Sequence, residues 1–176
     1  MSRQKIQISV IGSSGGEPEI LRDAERVGRG IAQAGAVLVC GGLTGVMEAA
    51  SKGAAEAGGA VLAVLPTLSP ADANEYVSHA VATGTGHARN LAVVASGEAV
   101  IAVGGEWGTL SEIAYARKLG RPVVALQSWP LRNRAGTDLG ITEAETAEEA
   151  VKAALSSAVV EQGSNERTEA ADEALD

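Results

Sequence analysis

Short runs of consecutive apolar, often β-branched residues alternate along this chain with longer stretches whose apolar positions recur every three to four residues. Ile6 to Ile11 is the first run, closed by Gly12-Ser13-Ser14-Gly15-Gly16. Glu17 to Ala34 follows with Ile20, Leu21, Ala24, Val27, Ile31 and Ala34 on or near one helical face, and Gly35 stops it. Ala36 to Cys40 predicts a second strand ending at Gly41-Gly42. Thr44 is the expected N-cap of the next helix, which runs to about Ala57 and ends at Gly58-Gly59.

Ala60 to Leu65 predicts a third strand, stopped by Pro66; Val77 to Ala82 is a short fourth candidate. Gly84 to Ser96 predicts a helix, Ala99 to Val103 a strand, Thr109 to Leu119 a helix and Pro122 to Leu126 a strand. Thr146 and Glu149 form a capping box for a last helix from Ala147 to about Ala158. Strands of about five residues without polar alternation are buried on both faces. Each is followed by a helix, so the expected fold is α/β: a doubly wound, mainly parallel, Rossmann-like sheet flanked by helices in a single domain over 1–160.

Composition alters this picture in three places. Twenty-two glycines, no Phe and only two each of Trp and Tyr mean that helices must approach the sheet through Ala, Val and Gly. The formal charge of −8 disfavours nonspecific nucleic-acid binding, which needs clustered Lys and Arg. Part of that acidity lies after Gln162, where Glu166, Glu169, Asp172, Glu173 and Asp176 stand among small polar residues; 161–176 is expected to be an acidic disordered tail. The lone Cys40 cannot form an intrachain disulfide, and neither a signal-peptide pattern nor a membrane-length apolar run is evident. A cytoplasmic protein without membrane contact is expected.

The chemistry gathers where the glycines do. Gly12–Gly16, Gly41–Gly45 and Gly104–Gly108 all sit at the carboxyl ends of expected strands, the edge at which open α/β sheets bind ligands. A helix start there offers unpaired N–H groups and partial positive charge, and glycine lets the main chain approach an anion closely. Gly12, Ser13, Ser14, Gly41, Gly42, Thr44, Gly45, Gly104, Gly105, Gly108 and Thr109 are therefore the candidate phosphate-binding residues; the competing reading is a set of tight turns. The first loop is G-x-x-G-G, not G-x-G-x-x-G, and the second strand ends in Cys40-Gly41 where a dinucleotide fold would carry an acidic residue. No Gly-Lys-Ser/Thr loop is present either.

Glu112, expected in the first turn of its helix, could hold a ribose hydroxyl or steady a developing positive charge, or it could cap the helix. Arg89, in an Ala- and Val-rich stretch, suits a phosphate or a salt bridge. His87 could carry a proton or be structural, Trp107 could stack on a base or pack, and Asn74 and Asn90 could bind a ligand or complete turns. Two histidines and one cysteine make no spaced metal-ligand set, and no Gly-x-Ser-x-Gly elbow is present.

Taken together, Gly104–Glu112, the upstream Arg89, the segment Gly41-Gly42-Leu43-Thr44-Gly45-Val46-Met47 and the loop Ile11-Gly12-Ser13-Ser14 resemble the LONELY GUY family of cytokinin riboside 5′-monophosphate phosphoribohydrolases. Within that superfamily Val46-Met47-Glu48, Ala88-Arg89-Asn90 and Gly108-Thr109-Leu110-Ser111-Glu112 are more similar to the branch containing the molybdenum cofactor carrier protein. Gly104 stands where the hydrolases have Pro, Glu106 replaces their second Gly, and Asn90 replaces their Lys. The resemblance implies binding of a phosphate-bearing nucleotide or similar ligand. It also implies possible cleavage of a nucleoside 5′-monophosphate to base and ribose 5-phosphate, with Glu112 and Arg89 catalytic. The alternative it implies is a noncatalytic carrier or sensor with molybdenum cofactor as cargo. No cofactor is expected to be required, and the resemblance implies a homodimer with its site near the interface.

Overall fold

The computed structural model describes residues 5–159, and the acidic tail lies outside the described residues. Seven strands form one all-parallel sheet: β1 (Gln7–Gly12), β2 (Val37–Cys40), β3 (Val61–Leu65), β4 (His79–Ala82), β5 (Ala99–Val103), β6 (Val123–Leu126) and β7 (Ile141–Ala144). Their order across the sheet is β4-β3-β2-β1-β5-β6-β7. Helices α1 (Pro18–Gln33), α2 (Val46–Glu56), α3 (Asn90–Ser96), α4 (Trp107–Lys118) and α5 (147–159) connect or follow them. The chain winds outward from β1 to β4, then returns to β1's other side with β5. The loops leaving β1 and β5 therefore diverge, which opens a crevice at their carboxyl ends.

Alternate residues of each strand feed two separate cores, as the two-residue period of a strand requires. Ile8, Val10, Leu38, Cys40, Ile101 and Val103 meet α1, α2 and α5 on one face. Ile11, Val39, Val100 and Ala102 meet Val93 and Val94 of α3 and Ile113 and Ala116 of α4 on the other. The scarcity of large side chains shows most clearly between α1 and α2. A Cβ on Gly28 would run into the Ala50 carbonyl, and one on Gly53 into the Glu25 carbonyl, so the helices cross main chain to main chain. Arg29–Glu56 at 2.8 Å and Lys52–Glu25 at 3.1 Å flank this seam. Both pairs are half-exposed and contribute little beside the packing.

Four expectations need correction. The helix beginning at Gly84 is instead a 3-10 turn, Gly86–Arg89, followed by α3 from Asn90; Gly84 and Gly86 both have positive φ, which a regular helix cannot accommodate. Thr44 does not cap α2. The helix starts at Val46 behind Gly45, and Thr44 Oγ1 donates to the Ser14 carbonyl at 2.9 Å. Helix α4 starts at Trp107, two residues earlier than Thr109, so Glu112 lies in its second turn and not its first. Finally, β7 had no counterpart in the expected elements. It is a four-residue edge strand with only Ile141 buried, so it lacks the continuous apolar run that marks the inner strands. The Thr146 cap is present, with Glu149 N donating to Thr146 Oγ1 at 3.2 Å, while the Glu149 carboxylate accepts from Glu145 N.

Candidate functional site

Each candidate residue owes its place to a strand end. β1 delivers Gly12, Ser13 and Ser14, and β2 delivers the loop to α2. The 3-10 turn carries His87 and Arg89, and β5 leads into the turn before α4. Between them lies a cleft of about 320 Å³ lined by Gly12, Ser13, Ser14, Leu43, Met47, His87, Arg89, Asn90, Glu106, Gly108, Thr109 and Glu112. A larger groove of about 440 Å³ runs between α1 and α5, past Arg26, Val151 and Leu155. It touches no strand end and no glycine loop, so the smaller cleft is the candidate site.

The cleft has a buried floor and an open rim. Thr109, Glu112 and Arg89 are only 2, 6 and 8% exposed, whereas Ser14, His87, Glu106 and Gly108 are exposed. Arg89 Nη1 stands 3.8 Å from Glu112 Oε1, an ion pair without a hydrogen bond. Burial pushes the Glu112 carboxyl up to about 7, with Arg89 pulling the other way. The same burial lowers the Arg89 pKa, an effect that Glu112 opposes. Two floor atoms, Arg89 Nε and Thr109 Oγ1, are buried without any hydrogen-bond partner. Such orphans cost about 1–3 kcal/mol each and are rare in folded proteins. Both atoms belong to residues that line a cleft which a polar ligand can enter.

The glycine-rich loops divide into two roles. Gly12, Ser13, Ser14, Gly108 and Thr109 line the cleft; Gly41, Gly42, Thr44, Gly45, Gly104 and Gly105 do not. The second group shapes the site from behind. A Cβ on Gly41 would strike the Arg89 guanidinium, so this glycine makes the recess in which Arg89 lies. Gly45 abuts the main chain of Ser13 and Ser14, and Val46 N, the first amide of α2, donates to the Ser13 carbonyl at 3.1 Å. That helix start thus braces the β1 loop. Gly42 packs on Ala63 and Leu65, Gly104 on Ile20, and Gly105 on the Thr109 side chain. Asn74 completes a loop, donating to the Leu43 carbonyl at 3.0 Å and accepting from Tyr76 N at 3.2 Å. Trp107 faces Trp129, ring centroids 5.5 Å apart, and lies outside the cleft lining. The apolar wall of Leu43 and Met47 was not foreseen as part of a site, although Met47 belongs to the motif that closes the second glycine loop.

The model of the SLOG cluster4 family matches residues 5–165. The chain belongs to that family. An uncharacterised protein of Archaeoglobus fulgidus is 45% identical over 154 residues, covering 88% of this chain and 97% of its own. Among solved structures, the molybdenum cofactor binding protein of Rippkaea orientalis is similar with a TM-score of 0.79 and 35% identity, over 88% of this chain and 98% of that one. The Moco carrier protein of Chlamydomonas reinhardtii is similar with a TM-score of 0.77 and 33% identity, over 90% and 99% of the two chains. The likenesses to solved structures fall on the carrier branch that the Ala88-Arg89-Asn90 and Gly108–Glu112 segments resemble, and the family match is to SLOG cluster4. A weaker likeness, 19% identical, to DNA processing protein A of Helicobacter pylori extends to the fold alone. Among the described residues no helix of this SLOG cluster4 protein is long and apolar enough to cross a membrane.

Proposed function

We propose that this protein binds a phosphate-bearing pterin or nucleotide-like ligand, molybdenum cofactor being the best-fitting cargo, and holds it without transforming it. The observation that carries this reading is the pair of unpartnered buried atoms, Arg89 Nε and Thr109 Oγ1, on the floor of the cleft. A phosphate oxygen is the acceptor both lack, and the start of α4 adds main-chain N–H groups beside Thr109. The residues therefore fit the phosphate end of the cofactor. The structural neighbours named for molybdenum cofactor support the carrier reading over hydrolysis.

The test is thermal unfolding with added cofactor. Ligand at 100 times its Kd stabilises the folded state by about 2.7 kcal/mol. Thr109→Val is expected to leave the unliganded protein as stable or more so, because it deletes an unsatisfied hydroxyl. It should also weaken ligand binding about fivefold through loss of roughly 1 kcal/mol. Tight binding unchanged by Thr109→Val overturns the assignment of the floor.

Phosphoribohydrolase action is the second reading, favoured by one observation: Glu112, with its carboxyl near 7, stands against Arg89 inside the cleft. Free base released from a nucleoside 5′-monophosphate, and lost in Glu112→Gln, would replace the carrier reading; no release is expected. The proposal includes a homodimer. Leu91, Tyr115 and Leu119 are exposed on α3, on α4 and just past its end, beside the exposed small residues Ala88, Ala92 and Ala95. Sedimentation of the purified chain at twice its monomer mass is the expected result.

A further inference from the structure

The phosphate reading leaves one group in the cleft unexplained. Glu106 occupies the N-cap position of α4, yet its side chain makes no capping hydrogen bond. It lines the cleft, is exposed, and has no hydrogen-bond or ion-pair partner among the described residues. An unengaged carboxylate beside a helix start weakens the hold on any anion nearby, so a site built for phosphate alone gains nothing from it. The remaining carboxylate, Glu112, is buried and faces Arg89.

We propose that Glu106 is a specificity-determining residue whose carboxylate accepts the paired N–H and NH2 donors of a 2-amino-4-oxopyrimidine edge, as carried by guanine and by pterins. This rests on the proposed phosphate site. The depth of the cleft separates the two ends of the ligand. The orphaned Arg89 Nε and Thr109 Oγ1 lie at the buried floor, where the phosphate binds, and Glu106 stands at the open rim, where the heterocycle lies. Leu43 and Met47 supply an apolar wall suited to the face of a flat ring. A carboxylate has two acceptor oxygens and no donor, so it matches two adjacent donors on one edge. Adenine and hypoxanthine do not offer that pair: adenine lacks the N1–H, and hypoxanthine lacks the 2-amino group.

Equilibrium binding of four probes at pH 6.5 separates this inference from the reading beneath it. GMP and neopterin monophosphate carry the edge; IMP and AMP do not, and all four carry a phosphate. The native protein is expected to bind the first two about tenfold or more tighter than the last two, the worth of a charge-assisted pair. Glu106→Gln, at an exposed position, is expected to reduce that preference to within about twofold while AMP binds as well as before or better. Equal binding of all four probes overturns the role of Glu106 and leaves the phosphate site standing, as does a preference that survives Glu106→Gln. Failure of every probe to bind overturns the phosphate reading and this inference with it.

Discussion

Alanine at Gly28 is expected to destabilise the protein by about 3 kcal/mol, the upper end of the cost of overpacking, through a single added methyl group. The reason is the obstacle it meets. The new Cβ would overlap the Ala50 carbonyl, main chain of the facing helix, and no rotamer change can clear it. Gly53 presents the same problem in reverse against the Glu25 carbonyl, so the two glycines hold one close crossing between α1 and α2. Relief requires the helices to separate, which opens voids around Ala24, Val27, Ala50 and Ala54 in the core beneath. Gly15→Ala is the control: no atom lies within reach of its Cβ, and its φ is not positive, so it is expected to be close to neutral. Urea unfolding of the two variants measures the difference. A Gly28→Ala midpoint indistinguishable from that of Gly15→Ala would mean the helices do not touch through their main chains.

The second large effect belongs to Glu112. Its carboxyl titrates at about 7 in the folded chain, against an ordinary value of 4.5, because burial outweighs the pull of Arg89. Between those two values the folded protein keeps a proton that the unfolded chain has lost. The stabilising contribution is therefore complete below pH 4.5, declines as pH rises, and is gone above about 7, a span worth about 3 kcal/mol. Glu112→Gln mimics the protonated form. It is expected to flatten this decline and to unfold at higher temperature than the native protein at pH 8.

Ligand binding follows the same proton. With Glu112 neutral, the Arg89 charge faces the cleft uncompensated; with Glu112 ionised, the pair is neutral within itself. The other charged or titratable groups around it are Cys40 beneath Arg89 and His87 and Glu106 on the rim. Affinity for an anionic ligand is expected to fall about fivefold as pH rises from 6 to 8, as a ligand-induced upward shift of one unit in Glu112 from about 7 requires. In Glu112→Gln that fall should be absent, leaving only the rise that the phosphate's own second ionisation, at about 6, brings. Titrations in buffers at both ends of that range measure it. An unchanged slope in the variant would show that another group controls binding.

Much of the fold was legible because a buried parallel strand writes itself as an unbroken apolar run. Ala36–Cys40, Ala60–Leu65 and Ala99–Val103 all read that way and all became inner strands; so did Ile6–Ile11, although Gln7 and Ser9 interrupt its run. Ile141–Ala144 did not, because an edge strand needs only one buried side chain and its Thr and Glu suit a turn as well. In the site, Arg89, Glu112 and Thr109 were identified as candidates by residue type and position, and the structure brings them to one floor. The glycines were harder to assign. Gly41 clears a recess for a side chain, Gly45 clears a neighbouring loop, and Gly108 borders the cleft itself; in sequence the three look alike. What distinguishes them is the partner each approaches, which is set by contacts distant along the chain. Thr44 misled for a similar reason, since the Ser14 carbonyl that takes its hydroxyl is 30 residues away.

One sheet supports every wall of the cleft. Among the described residues, those that line it all ride on loops and helices leaving the same seven strands, so its walls share one support. A guest in such an open trough stays within reach of a visitor. On the proposed carrier reading it is lifted away by direct exchange, with the pace of departure set by the grip of the trough and by the visitor's competing hold.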